Sequence, residues 1–331
     1  MKPWIQLAAD TPGGRLLRRA WQPVYRARDL LLGHVVQVRV LGQDYALFRH
    51  DGGVGMLADR CPHRGTRLSL GSVVDASLRC AHHGWAWDAE GQPAPGHAAQ
   101  TSVCAGAVLV QEAHGLLFAW FGEGEPPALP VLDGVWTPMQ PNRWPCSFFR
   151  RLENTVDLAH VPHSHRLSGV GSGFPDTLTG QATPFDGGLD VVEGEARVRF
   201  YLPNVLQFGS PTDAGFVEHV VWRVPEGVDS CRSFMLAKAA LDTAPRRFPF
   251  DATPVENLAE EVLAGRRTLE SLRGHHSLTE IEDYVVLVGQ GPLEQQPAEA
   301  LGPADEPVRA LRRVWREALD APVPPLEIRP L

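Results

Sequence analysis

Cysteine is scarce in this chain: five in 331 residues, an odd number, which rules out a disulfide framework as the source of stability. No apolar run approaches the roughly 18 residues that a bilayer-spanning helix needs. The opening residues, MKPWIQLAAD, lack the charged-then-apolar order of a secretory signal, so the expectation is a cytoplasmic protein. Positive charge is also in deficit. Lys and Arg number 31 against 39 Asp and Glu, a net charge of −8, which opposes nucleic acid or an anionic membrane as partner. No G-x-G-x-x-G stretch is present, so the chain carries no dinucleotide fingerprint of its own. What the chain does have is Gly (32) and Pro (29) in quantity, as many turns between short strands require. Its hydrophobic content of 44% is that of an ordinary globular protein. The length allows two domains.

Taken in order, residues 1–20 end in a basic amphipathic piece. Residues 35–40 and 45–50 alternate apolar and polar side chains around a turn at 42–44, and short β pieces continue to residue 122. This block, 21–124, reads as a small all-β domain. The Gly-, Pro- and acid-rich stretch 122–134 reads as a linker. Beyond it, 125–331 reads as α+β: an antiparallel sheet flanked by helices. Its expected elements are an aromatic strand at 146–151, a Gly/Pro-rich loop at 166–188, and strands at 189–202, 215–224 and 231–241. A helix capped by Thr253 runs on through the apolar positions 255, 258, 262, 269 and 272 to Gly274. A last helix spans 307–320.

Two stretches carry chemistry. Cys61-Pro-His63 is followed, after sixteen intervening residues, by Cys80-Ala-His-His83-Gly-Trp85. One Cys and one His from each of two hairpin tips make a Cys2His2 set. A zinc finger would place its two Cys together and its two His together. Here Cys and His alternate, which suits a [2Fe–2S] cluster with two thiolates on one iron and two imidazoles on the other, the Rieske arrangement. Such a cluster accepts electrons from a flavin or ferredoxin donor. Cys104, Cys146 and Cys231 read as buried small hydrophobes. The second stretch is Glu153–His165, ENTVDLAHVPHSH. Asp157 and His160, three apart, share a face on a helix. Pro162 turns the chain so that His165 can return beside His160. Two imidazoles and a carboxylate favour non-haem Fe(II); the competing reading is a surface helix end with solvated His.

The first stretch resembles the Rieske non-haem iron oxygenases, whose pattern is C-x-H, about sixteen residues, C-x-x-H and then Gly-Trp. His82 departs from it, standing where that family usually has Tyr, and His83 is the ligand by spacing. The second stretch is similar to the family's N-x-x-D-x-x-H-x-x-x-x-H, met by Asn154, Asp157, His160 and His165, with His163 outside the pattern. Residues 16–30 resemble the start of phthalate- and demethylase-type members built from one kind of subunit. The resemblance implies that Cys61, His63, Cys80 and His83 hold the cluster. It implies that His160 and His165 bind a mononuclear Fe(II) with Asp283 as third ligand, Glu282 being the alternative. The catalytic domain would then be of the helix-grip, START-like kind.

It further implies that Asp157 links a cluster His of a neighbouring subunit to an iron His of its own, in a head-to-tail homotrimer, with Asn154 in support. Electrons would come from NAD(P)H through a separate flavin and iron–sulfur reductase or a ferredoxin. O2 would be the co-substrate, and the reaction monooxygenation (hydroxylation or O- or N-demethylation) of an aromatic or polycyclic small molecule. Two other readings compete: cis-dihydroxylation of an arene, and a Rieske electron carrier whose extra domain only docks partners. Phe200, Phe208, His219, Trp222 and Phe234 are the aromatic residues open to a pocket role. Arg197 and Arg223 are the cations able to hold an acidic substrate.

Overall fold

The computed structural model describes residues 5–96, 102–173, 175, 180–212, 215–238 and 254–331. The N-terminal block begins with α1 (Pro12–Arg18), then β1 (Gln22–Arg26), β2 (Val35–Val40), β3 (Gln43–His50) and β4 (Gly53–Ala58). It continues with β5 (Ser72–Val74), β6 (Ser77–Arg79), β7 (Ala86–Trp87), β8 (Leu109–Ala113) and β9 (Leu116–Trp120). These form three small antiparallel sheets, ordered β1-β9-β8, β2-β3-β4 and β5-β6-β7. The β2–β3 hairpin pairs Val40 with Gln43, so its turn is Leu41-Gly42 rather than 42–44. Both turn residues have positive φ (51° and 81°), which matches the twist of a two-residue hairpin.

The second block opens with β10 (Trp136–Pro138), β11 (Asn142–Trp144), α2 (Phe148–Val156) and α3 (Val161–Ser164). There follow β12 (Gln181–Phe185), β13 (Gly188–Glu193), β14 (Ala196–Tyr201), β15 (Val205–Thr212), β16 (Gly215–Gly227) and β17 (Ser230–Lys238). The chain closes with α4 (Val255–Leu263), α5 (Leu278–Gly289) and α6 (Glu306–Glu317). The strands make one eight-stranded antiparallel sheet, β10-β17-β16-β15-β14-β13-β12, with β11 also on β17. The chain is thus α+β and mostly antiparallel.

Three expectations change. The aromatic run at 146–151 is not a strand: Ser147 Oγ accepts the Phe149 N–H at 3.3 Å and starts α2, and the strand lies just before, at β11. The chain at 166–188 is not loop throughout, because its end is the edge strand β12. The helix expected to run through 272 stops at Leu263, where Gly265 takes φ +69°. Leu269–Leu272 is a separate turn of 3₁₀ helix. Thr253 and the end of the 231–241 strand lie outside the described residues. Ser147 is 1% exposed, so Ser147→Ala removes a buried cap from the helix that carries Asn154. It should cost about 1 kcal/mol, read as a lower urea midpoint with an unchanged slope.

Because paired residues of an antiparallel sheet share a face, the register sorts the aromatic candidates. Phe208 faces His219 and Leu206 faces Val221, and Phe200 pairs with Leu206. Arg223 and Ser233 are likewise a pair on this face. Trp222 and Phe234 pair on the opposite face, where the Trp222 ring meets Phe118 of β9 at 5.5 Å. That face carries the N-terminal block. Gln22 Oε1 accepts from Asn204 Nδ2 at 2.8 Å, and the Leu41 N–H donates to the Pro225 carbonyl at 2.7 Å. One continuous core runs from Leu16 and Trp21 through Phe118 and Trp222 to Trp315. A second, smaller core holds Phe48, Leu57, Cys61, Leu68, Leu78, Cys80 and Trp87.

Candidate metal centres

Two loops of one design approach each other at the tips of β4 and β6. In the first, the Gly65 N–H donates to the Cys61 carbonyl at 2.8 Å; in the second, the Gly84 N–H donates to Cys80 at 3.1 Å. Each glycine has positive φ (76° and 73°), the left-handed conformation that closes such a turn with least strain. Each Cys N–H is held by the residue five positions on, Thr66 or Trp85. The Asp59 carboxylate, 1% exposed, accepts from both the Ser69 N–H and its hydroxyl and anchors the first loop.

The loops bury Cys61 and Cys80 side by side in the small core and set His63 against His83, ring centroids 4.6 Å apart. His63 also stacks on Trp85 at 4.2 Å. Two thiols on one side and two imidazoles on the other suit a two-iron cluster. Among the described residues, the one set of three or more such groups whose ligand atoms all lie within 4.8 Å of one another is His160, His165 and Asp283. The two Cys and two His therefore do not converge on one point, as a single tetrahedral zinc would need. The buried Nδ1 of His63 has no partner in the protein, as expected of an atom reserved for a metal. Burial, with Cys80 alongside, raises the Cys61 thiol, so a metal's charge is needed to hold it as thiolate. His83 is exposed at the rim. His82, also exposed, lies beside it and contacts Thr66 Oγ1 at 3.2 Å. Cys146 and Cys231 are buried as expected, but Cys104 is exposed and reaches Gln92 Oε1 at 3.3 Å.

The second centre forms where α2 ends. Asp157 is both the last cap of α2 and the first cap of the 3₁₀ turn Leu158–His160, its Oδ1 accepting the Ala159 N–H at 3.2 Å. Pro162 does not break a helix; it sits in the first turn of α3, where its missing N–H costs nothing. The α3 turn carries His165 back, and His160 Nε2 and His165 Nε2 stand 3.2 Å apart. Asp283 Oδ1 lies 3.5 Å from the first and 3.3 Å from the second. His163 points to solvent from the exposed side of α3.

The outer nitrogens are fixed. His160 Nδ1 donates to the Asp157 backbone carbonyl. His165 Nδ1 donates to Glu282 Oε2 at 3.2 Å, and Glu282 Oε1 accepts the Leu167 N–H. With Nδ1 protonated on both rings, the Nε2 lone pairs face each other and the Asp283 oxygen. Three donors so arranged repel unless a cation sits among them, so they fit a 2-His-1-carboxylate iron. Burial alone would raise Asp283; hydrogen bonds and charge from His160 and His165 outweigh it and hold the carboxyl far below its usual range. Asn154 Nδ2 donates to the same Oδ1 at 3.1 Å.

Glu282 and Asp283 are neighbours inside α5, about 100° apart around the helix. Asp283 therefore meets both Nε2 atoms while Glu282, fully buried, supports His165 from behind. That supporting role was not expected. Asp157 also differs from expectation: it holds its own His160 through its backbone carbonyl, and burial raises its carboxyl.

The Rieske [2Fe-2S] domain family matches residues 20–110. Over 98% of this chain and 77% of its own length, the oxygenase subunit of a tert-butanol monooxygenase / tert-amyl alcohol desaturase from Aquincola tertiaricarbonis is 29% identical. The 5,5'-dehydrodivanillate O-demethylase oxygenase subunit of Sphingobium sp. is 26% identical over 93% and 77%. Among solved structures, Pseudomonas putida CBB5 NdmA with caffeine has the same fold, with a TM-score of 0.69 at 18% identity over 94% of this chain and 93% of that one. The chain is an iron–sulfur oxidoreductase. Residues 20–110 are a Rieske domain, and over nearly its whole length the chain is similar to oxygenase subunits, with a Rieske cluster and a mononuclear iron as cofactors and O2 as co-substrate.

Proposed function

We propose that this oxygenase monooxygenates an aromatic or polycyclic small molecule, by hydroxylation or O- or N-demethylation, with electrons from a separate NAD(P)H-dependent flavin and iron–sulfur reductase or a ferredoxin. Residues 21–124 form the cluster domain and 125–331 the catalytic domain. Cys61, His63, Cys80 and His83 hold the cluster; His160, His165 and Asp283 hold the mononuclear iron, which supplies O2 activation when bound. The observation that carries the site is the convergence of His160 Nε2, His165 Nε2 and Asp283 Oδ1 with both imidazole Nδ1 atoms already engaged. Glu282 and Asn154 orient this set, and the neutral Nε2 atoms stay free to ligate. Iron analysis tests it: about three irons per chain are expected, two in the cluster and one beside it. A count of two would remove the mononuclear site.

Asp157 is the proposed link to a neighbouring subunit in a homotrimer. Its support is position, one residue beyond α2 and bonded to His160 through its backbone carbonyl, and a half-buried carboxyl that burial raises. Asp157→Asn should lower turnover about tenfold while iron content and the cluster spectrum stay unchanged. Equal turnover in stopped-flow reoxidation would reject the link. The reading as a bare electron carrier is set aside by the relatives, which are oxygenase subunits.

A further inference from the structure

Two thiols outside both metal centres meet on the inner face of the large sheet. Cys231 stands near the start of β17 and is the ladder partner of Trp144 in β11. Cys146 lies two residues after Trp144, in the bend between β11 and α2, just ahead of the Ser147 cap. Both Cys are 0% exposed, and their side chains are hydrogen-bonded to each other. A buried thiol that only fills space sits among apolar groups. Cys231 sits against two guanidiniums.

Arg151, laid over the Trp144 ring at 3.6 Å, hydrogen-bonds Cys231, Ser233 Oγ and Asn142 Oδ1. Arg223, paired across the ladder with Ser233, donates to the same hydroxyl at 2.7 Å. Among the described residues neither Arg enters a salt bridge with a carboxylate, and Glu280 is linked to Arg151 through Asn142. The counter-charge is sulfur. Burial alone would raise Cys231; the hydrogen bond from Cys146 and the charges of Arg151 and Arg223 outweigh it and lower the thiol to about 7. Cys146 is pushed up, by its bond to Cys231 and then by burial. Burial and Arg151 lower Arg223 to about 9, and the strongest charge opposing them is Cys231, ahead of Asp283 and Glu280. At neutral pH a thiolate therefore lies against a protonated thiol, the pairing of an attacking with a resolving cysteine.

We propose that Cys146 and Cys231 form a thiol switch that hydrogen peroxide closes to a disulfide, and that closure loosens the hold on the mononuclear iron. The Cys231 thiolate attacks one peroxide oxygen; an S–O bond forms, the O–O bond breaks and hydroxide leaves. Cys146 then attacks the sulfenic sulfur, its proton passes to the departing oxygen, and water leaves as the S–S bond forms. The sulfurs lose two electrons and peroxide gains them. Peroxide is the two-electron reduction product of O2, the co-substrate. Arg223 and Asp283 keep some accessible surface, and from their side a small neutral oxidant approaches. Cys146 belongs to no helix or strand, which leaves it free to close to the S–S length of about 2 Å.

Closure takes the negative charge away from Arg223, whose field reaches Asp283. The uncompensated cation then opposes a metal ion there. Closure also ties down the start of α2, the helix from which Asn154 donates to Asp283 Oδ1 at 3.1 Å. This second part rests on the iron site proposed above.

The test adds a few equivalents of hydrogen peroxide to the iron-loaded protein, its cluster oxidised and no reductant present. Free thiols are then alkylated and the digested chain is analysed by mass. Exposure alone predicts that Cys104 reacts first. The switch predicts that the peptides carrying Cys146 and Cys231 appear joined, lighter than their sum by two hydrogens, while Cys104 is still free. The cluster spectrum should not change, and dithiothreitol should undo the join. Cys146→Ser should leave Cys231 as a sulfenic acid that dimedone captures, and Cys231→Ser should leave Cys146 unoxidised. If either variant loses the cluster spectrum or melts early, the order of reaction in the native chain decides. A chelator should remove the mononuclear iron roughly three- to tenfold faster from the joined form than from the reduced one, and reduction should restore the slower rate. Oxidation of Cys104 with Cys146 and Cys231 still free would overturn the proposal, as would a join that leaves the iron rate unchanged. The join is also read on protein stripped of mononuclear iron. A chain that binds only two irons therefore sinks the proposed oxygenase site, while the thiol chemistry is judged by the join.

Discussion

His160→Ala leaves the red-brown spectrum of the cluster in place and abolishes turnover. His160 gives one of three converging donors, with Nε2 3.2 Å from that of His165 and 3.5 Å from Asp283 Oδ1. Two donors hold iron far more weakly than three, and alanine offers none. The iron count should fall from about three to about two per chain. The cluster loops are closed by their own bonds at Cys61–Gly65 and Cys80–Gly84 and pack in a separate core, so they do not sense the change. Turnover surviving in the variant would mean that oxygen chemistry occurs elsewhere.

Glu282→Ala has the next largest effect, although Glu282 is the worse-placed of the two adjacent acids for ligation. The carboxylate accepts from His165 Nδ1 and from the Leu167 N–H, each at 3.2 Å, and is fully buried. Without it, His165 loses what fixes its tautomer and ring plane, and two donors lose their partner. Removing such a support typically lowers metal affinity 10- to 100-fold, measurable by competing the iron away with a chelator. Glu282→Gln keeps an oxygen for Leu167 and should fall between. If alanine at 282 binds iron as tightly as the native residue, the carboxylate does not orient the site.

The difference between these two centres explains how far each was legible in the sequence. The Cys61–Trp85 pattern is local: both loops are built from bonds spanning four or five residues, so spacing alone carries their geometry. The His160–His165 pair is local too, although its turn differs from the one expected. Pro162 was expected to end a helix and instead starts α3. Asp283 lies more than a hundred residues away, and only the likeness to a known pattern pointed to it. Glu282 could not be separated from it without the rotational setting of α5, which is fixed by partners such as Tyr284 against Trp144 at 5.2 Å. Trp222 and Phe208 read alike because the large sheet is covered on both faces, and only the register assigns each to its side. Arg197 and Arg223 were equivalent in sequence for the same reason. The run at 146–151 has strand-like composition, and the cap at Ser147 outweighs it.

The seam between the two blocks has a consequence for timing. Trp222 on Phe118, Gln22 with Asn204, and Leu41 on Pro225 weld the N-terminal block to the back of the large sheet through one continuous core, and β3 and β4 tie the smaller cluster core to it, with Leu47 and Met56 in the large core and Phe48 and Leu57 in the small one. A carrier that docks, loads and swings needs a loose hinge and few buried contacts. This one has neither, so its cluster is a fixed electrode rather than a shuttle. Thickening the solvent with glycerol should slow the arrival of the electron donor and leave the onward transfer of each electron from the cluster at its own pace.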